Sequence, residues 1–233
     1  SWGAQEVIFS AIIMACIIGM RGVAIATPHW RWQISRGLFG FAALFSYFWA
    51  ITLLPLATAV TLNYTSAIFL AIFLVLAGMR PSVGTFGALL VGLAGVGLLL
   101  RPSLHGDQLP AGLIGLASGV LAAMAYFSVR ELGARGEPET RTVFYFSLVS
   151  SVGAGFWLLF SEIHRVDLHS GLLLLGVAAF ATGAQLAMTR AFSGTHTLLA
   201  AALAYSTVIF SSLFAAFLWG ETHDAWAWLG IAL

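Results

Sequence analysis

The chain has 233 residues, 60% of them hydrophobic and 8% charged, with a formal net charge of +1. It lacks the polar surface that a soluble domain needs, and so small a positive balance excludes the electrostatic footprint of a nucleic-acid binder. Its apolar runs are continuous over about 18 to 23 residues rather than alternating over about 10, which selects membrane-spanning helices over a β-barrel.

Taken in chain order, the pattern predicts helices at 7–20, 37–54, 56–78, 83–100, 111–129, 142–161, 170–189 and 197–219, and a ninth starting near 225 that the last residue cuts short. The first run carries Glu6 at its outer end. It also holds the single cysteine, Cys16, expected to be a small packed side chain. All six prolines fall between these runs or at their first turns, which supports the boundaries and argues against a proline-broken helix. Small residues recur every four positions at Gly115, Gly119 and Ala123, at Gly87, Val91 and Gly95, and at Ala42, Ser46 and Ala50. That spacing is expected where helices pack closely.

The ten basic residues are all arginine. If the first helix ends inside, Arg21, Arg31, Arg36, Arg80, Arg130, Arg135, Arg141 and Arg190 are cytoplasmic and only Arg101 and Arg165 lie outside, as the positive-inside rule favours. A chain without lysine and without organelle targeting fits the bacterial inner membrane as a multi-pass protein.

The sequence repeats itself at an offset of 141 residues, pairing Ala59, Leu62, Tyr64, Ile68, Phe69 and Phe73 with Ala200, Leu203, Tyr205, Ile209, Phe210 and Phe214. The offset pairs run 37–54 with 170–189, 56–78 with 197–219 and 83–100 with the ninth, while by order 7–20 pairs with 142–161. Run 111–129 is left over. The expected architecture is therefore an all-α, ten-helix bundle of five plus five, with the first helix absent from this chain and the last truncated. The two repeats divide at 1–104 and 105–233. An odd number of helices per repeat makes the halves inverted, the arrangement of many secondary transporters.

Several stretches resemble the EamA-type branch of the drug/metabolite transporter superfamily: EVIF at 6–9, RG at 36–37, LPLATAV at 54–60, GALLVGLAGVG at 87–97 and WGE at 219–221. The resemblance spans nearly the whole chain and implies ten helices in two inverted repeats. It also implies transport, often export, of amino acids and other compact amphipathic metabolites. Two departures stand out. The first repeat ends in Gly78-Met79-Arg80 where relatives commonly carry Gly-Glu, and Ser10-Ala11 stands where many carry an arginine.

Candidate site residues follow from the cost of leaving polar groups unpaired in hydrocarbon. Run 56–78 offers Asn63 and Tyr64, and its repeat mate offers Tyr205 and Ser206; Gln185 and Tyr47 lie mid-segment on 170–189 and 37–54. Against this stands the plainer role of such hydroxyls as glue to their own backbone or to a neighbouring helix. Glu6 is a candidate for proton coupling, with a simple interfacial residue as the alternative. The histidines show no metal-ligand spacing, no Ser, His and Asp set shares one depth, and the glycines lack a strand before them, so no enzyme, metal or cofactor is expected.

The expected function is a secondary active or exchange transporter for a small organic metabolite, a neutral or aromatic amino acid first, working by alternating access. Its partners are that solute, the lipid bilayer, and a coupling proton or counter-substrate; the sequence does not specify an oligomeric state. The competing expectation is a membrane scaffold or assembly subunit with an inherited repeat, and a channel ranks last for want of polar faces.

Overall fold

A computed structural model describes residues 2–101, 108–158, 168–219 and 224–232, with side chains described from residue 11 onward except at 21, 215 and 219. All regular structure among them is helical. In chain order the helices are α1 (Trp2–Arg21), α2 (Trp30–Leu53), α3 (Leu56–Tyr64), α4 (Ser66–Leu76), α5 (Val83–Leu100), α6 (Leu109–Ala134), α7 (Glu139–Leu158), α8 (Leu168–Ser193), α9 (Thr197–Ala204), α10 (Ser206–Trp219) and α11 (Ala225–Ala232). Each of the nine expected runs is present, two of them split. Six segments are long and apolar enough to cross a membrane: α2, α3 with α4, α5, α6, α8, and α9 with α10. Their outward side chains are apolar, among them Phe180 at 84% and Phe217 at 87% exposure, as lipid contact requires. The chain is a multi-pass helical membrane protein.

Three expectations are corrected. The second helix begins at Trp30, not at 37, because the backbone amides of Trp32 and Gln33 close its first turn on the His29 carbonyl despite the polar sequence there. Arg36, expected in a cytoplasmic loop, thus lies inside the helix and is 2% exposed. Cys16 is exposed rather than packed, on the outward face of α1 with Ile12 and Met20. Of the expected α5 packing face only Gly95 is closely packed, since Gly87 has open space beside it and Val91 is 46% exposed. The close approaches of α5 are made by Gly92 and Gly95.

The chain forms two compact units. Unit 1 comprises residues 1–41 and 128–195. Within it α1 packs on α7 and α8, and α7 on α8. The first turns of α2 lie against α7: a Cβ at Gly37 would stand 2.7 Å from Val149, and Gly40 faces Phe146. Unit 2 comprises residues 42–127 and 196–233, with α5 packed on α3, α4, α9 and α11. Its described core joins Ala50, Leu54, Ala59 and Ala111, with Tyr47, Ile51, Leu62 and Ile114 packed round them. As the four-residue spacing predicts, Gly115 of α6 packs closely on the Leu62 side chain, and a Cβ at Gly119 would stand 2.8 Å from the Leu62 backbone oxygen.

Candidate substrate site

Both helices of the repeated pair are broken near mid-span, with no proline at either break. α3 ends at Tyr64 and α4 starts at Ser66; α9 ends at Ala204 and α10 starts at Ser206. The residue between each pair of helices, Thr65 or Tyr205, keeps right-handed helical angles but bonds back only three residues, to Leu62 O at 3.2 Å and Ala202 O at 3.1 Å. The chemistry at the two breaks is the same. Thr65 Oγ1 donates to Leu62 O at 2.5 Å, and Ser206 Oγ donates to Leu203 O at 2.6 Å. Thr65 with Ser206, and Leu62 with Leu203, are repeat mates at the offset of 141. A hydroxyl that takes the i−3 carbonyl competes with the helical ladder and bends it. A short tight turn of this kind inside a helix often marks a hinge.

The breaks bring Tyr64 and Tyr205 together in unit 2. Their rings meet edge to face with centroids 5.6 Å apart, and Tyr205 Oη donates to Tyr64 O at 3.4 Å. Tyr205 is 6% exposed and presses on α5, where a Cβ at Gly92 would stand 2.5 Å from its ring. Asn63 donates from Nδ2 to Ser118 Oγ at 3.1 Å, and Ser118, fully buried, donates in turn to Gly115 O. That chain of bonds ties α3 to α6. Tyr47 is half-buried against the apolar core and pairs with Phe48 at 5.7 Å. Five of the candidates therefore lie in unit 2: Tyr64 and Tyr205 touch, Asn63 and Ser206 bond within the protein, and Tyr47 packs.

Gln185 lies in unit 1, where its Oε1 accepts from Arg36 Nη2 at 3.1 Å. Arg36 Cζ stands 4.1 Å from the Phe146 ring centroid, within reach of a cation–π contact. A helix start placed at 37 hides this pairing. The signal that could have found it is the polar pair Gln33 and Arg36 at helical spacing, followed by the small Gly40 on the same face. Glu6 falls within α1, but its side chain lies outside the described residues.

A second polar cluster of unit 1 escapes hydropathy altogether. Gly136, at φ +73°, ends α6 in a left-handed turn in which Glu137 N bonds Leu132 O. Pro138 then opens α7. The turn delivers Glu137 to the chain between α1 and α2, where its Oε1 accepts from the Thr27 hydroxyl and meets His29 Nδ1 at 2.9 Å. Its Oε2 accepts from Gln33 at 3.3 Å and from Arg141 at 2.8 Å. Arg141 also donates to Ala24 O at 2.7 Å. Burial pushes the Glu137 carboxyl up, but the Thr27, His29 and Arg141 hydrogen bonds and the Arg141 charge outweigh it and hold the group below the usual carboxylate range. Among the described residues no cluster of His, Cys, Asp or Glu has the make-up to hold a metal ion.

With this geometry in view, residues 109–233 match the family model described as the EamA-like transporter family. The chain is similar to the pseudopaline exporter CntI of two strains of Pseudomonas aeruginosa, 29% identical over 229 residues in one and 28% over 228 in the other, covering 95% of this chain and 80% of each relative. A probable transport protein of Saccharomyces cerevisiae is 26% identical over 236 residues, covering 88% of this chain and 65% of that protein. One crystal structure superposes with a TM-score of 0.84 over 99% of this chain and 84% of its own, at 21% identity, which shows the shared fold.

Proposed function

Because the chain belongs to the EamA-like transporter family, we propose that it is a secondary active or exchange transporter that moves a small organic metabolite by alternating access between two inverted repeats. The two repeats correspond to residues 1–104 and 105–233. The observation that carries the reading is a helix break in each repeat, within one residue of the matching position, with Tyr64 and Tyr205 in contact between them. A hinge that occurs once in each repeat is what a rocking mechanism needs.

The solute we favour is a neutral or aromatic amino acid, or a similar amphipathic compound. Within unit 2, Tyr64, Tyr205 and Tyr47 supply aromatic surface, while Asn63 and Ser206 supply neutral hydrogen-bonding groups; Gln185 of unit 1 is a separate substrate-binding candidate. The name of the Pseudomonas relatives supports a metabolite cargo and the outward direction. Coupling, by Glu6 or by a counter-substrate, belongs to the same proposal, as do the bacterial inner membrane and the cytoplasmic placement of the arginine-rich loops.

The internal bonds of Asn63 and Ser206 suit the rival reading of a closed scaffold. A thermal-shift screen of purified protein against amino acids, nucleosides, vitamins and lipophilic cations separates the two. A ligand at 100 times its dissociation constant adds about 2.7 kcal/mol to the folded state. One stabilising chemical class, lost in Asn63→Ala and Tyr205→Phe, supports the transporter; a flat response across the panel supports the scaffold.

A further inference from the structure

We propose that unit 1 contains an anion-recognition site, built round Arg36 and gated by Gln185, that takes a carboxylate group. That this carboxylate belongs to the cargo rests on the transporter reading above.

Three helix faces of unit 1 meet at one depth. At 1.5 Å per residue, Arg36 stands about 9 Å along α2 from Trp30, Phe146 about 10 Å along α7 from Glu139, and Gln185 about 12 Å along α8 from Ser193. These three helix ends belong to the same end of unit 1, because the turn before α7 bonds the chain before α2 through Glu137 and His29, while Arg36 meets Gln185 and Phe146 further in. A guanidinium at such depth is costly, so an intramembrane arginine is by default a functional group. Arg36 is 2% exposed, and its guanidinium rests on an amide oxygen and a ring face.

Further polar atoms line the layers above and below. Gln33 and Thr189 stand about 4.5–6 Å along their helices from the ends, and Ser150 and Thr182 about 16 Å. Gln33 Oε1, Thr189 Oγ1, Ser150 Oγ and Thr182 Oγ1 are buried without a hydrogen-bond partner, and their residues are between 0% and 4% exposed. They fall on the right faces. Gln33 precedes Arg36 by three residues, Ser150 follows Phe146 by four, and Thr182 and Thr189 flank Gln185 at three and four. Each unpaired hydroxyl costs about 1–3 kcal/mol, which a bound carboxylate within its reach returns by accepting from it; the Gln33 amide oxygen, itself an acceptor, is not satisfied in this way.

An amide oxygen resting on a guanidinium occupies the position of one carboxylate oxygen. A carboxylate displaces it and makes two charge-assisted bonds where the amide makes one. The feature is confined to one repeat, since the offset of 141 places Val177 opposite Arg36 and Leu44 opposite Gln185. The site therefore gives the carrier a selectivity that its pseudo-symmetry does not supply.

The test uses the purified full chain and carboxylates paired with their own amides: L-phenylalanine with phenylalaninamide, 3-phenylpropionate with 3-phenylpropanamide, and succinate with succinamide, plus inorganic phosphate. Thermal shifts are read for the parent, Arg36→Gln and Gln185→Glu. The last variant tethers a carboxylate to the guanidinium and keeps the site measurable even where Arg36→Gln fails to fold. The expected result is a shift with at least one carboxylate and none with its amide. Gln185→Glu should raise the melting temperature and abolish the carboxylate response. Equal shifts with acid and amide, a response to phosphate alone, no response to any carboxylate, or a Gln185→Glu variant that is destabilised and still responds would each overturn the site. A carboxylate response lost in Gln185→Glu, in protein that moves no solute in vesicles, leaves the site standing and removes only its cargo role.

Discussion

Glu137 gathers Thr27, His29, Gln33 and Arg141 into one buried cluster, so its charge is held by groups from two separate stretches of chain. A carboxyl lowered in the folded state contributes stability above its ordinary value of 4.5, and that contribution disappears as pH falls through the lower folded value. Glu137→Gln should therefore cost about 1–3 kcal/mol at pH 7. Thermal unfolding should show the gap from the parent closing once the pH is well below 4.5; a gap that is constant with pH counts against the cluster. At Gly92 the constraint is steric, because a Cβ there stands 2.5 Å from the Tyr205 ring. Gly92→Ala should lose about 1–3 kcal/mol through overpacking. Gly97→Ala on the same helix, with nothing within 4 Å, should be neutral or slightly stabilising, and equal losses at both positions would refute the close approach.

At the scale of elements, hydropathy and proline placement locate every helix, because a span needs an unbroken apolar run whatever its neighbours are. They fail where a helix continues through polar residues. In the Trp-Arg-Trp-Gln opening of α2 only Gln33 is buried, bonded to Glu137 of a distant stretch, and such a contact leaves no mark in a local window. The breaks after Tyr64 and Ala204 are equally hidden, since a Thr or Ser that bonds its i−3 carbonyl looks in sequence like any other hydroxyl. The repeat points to Tyr64 and Tyr205, because both halves keep a tyrosine at that position and the two rings meet. Gln185 is legible as a mid-helix amide, whereas its partner Arg36 reads in sequence as a loop charge. If the breaks act as hinges, Thr65→Val with Ser206→Ala should lower solute exchange at least several-fold while changing the melting temperature little, each hydroxyl bond being worth about 0.5–1.5 kcal/mol. Unaltered exchange in the double variant would remove the hinges from the mechanism.

For the whole molecule, the family match, the apolar exterior and the repeat all point the same way. A scaffold needs neither a helix break in each repeat nor a guanidinium held about 9 Å inside a helix. In the proposed carrier the first would serve movement and the second selection. The most direct measurement is counterflow: purified protein in liposomes preloaded with an unlabelled mixture of amino acids, with uptake of a labelled member followed over time. We predict a transient, saturable accumulation above the external concentration, absent from empty liposomes and strongly reduced in Tyr205→Ala. Folded protein that supports no accumulation of any solute in the mixture or in the wider metabolite panel would contradict the transporter and leave the scaffold as the better account.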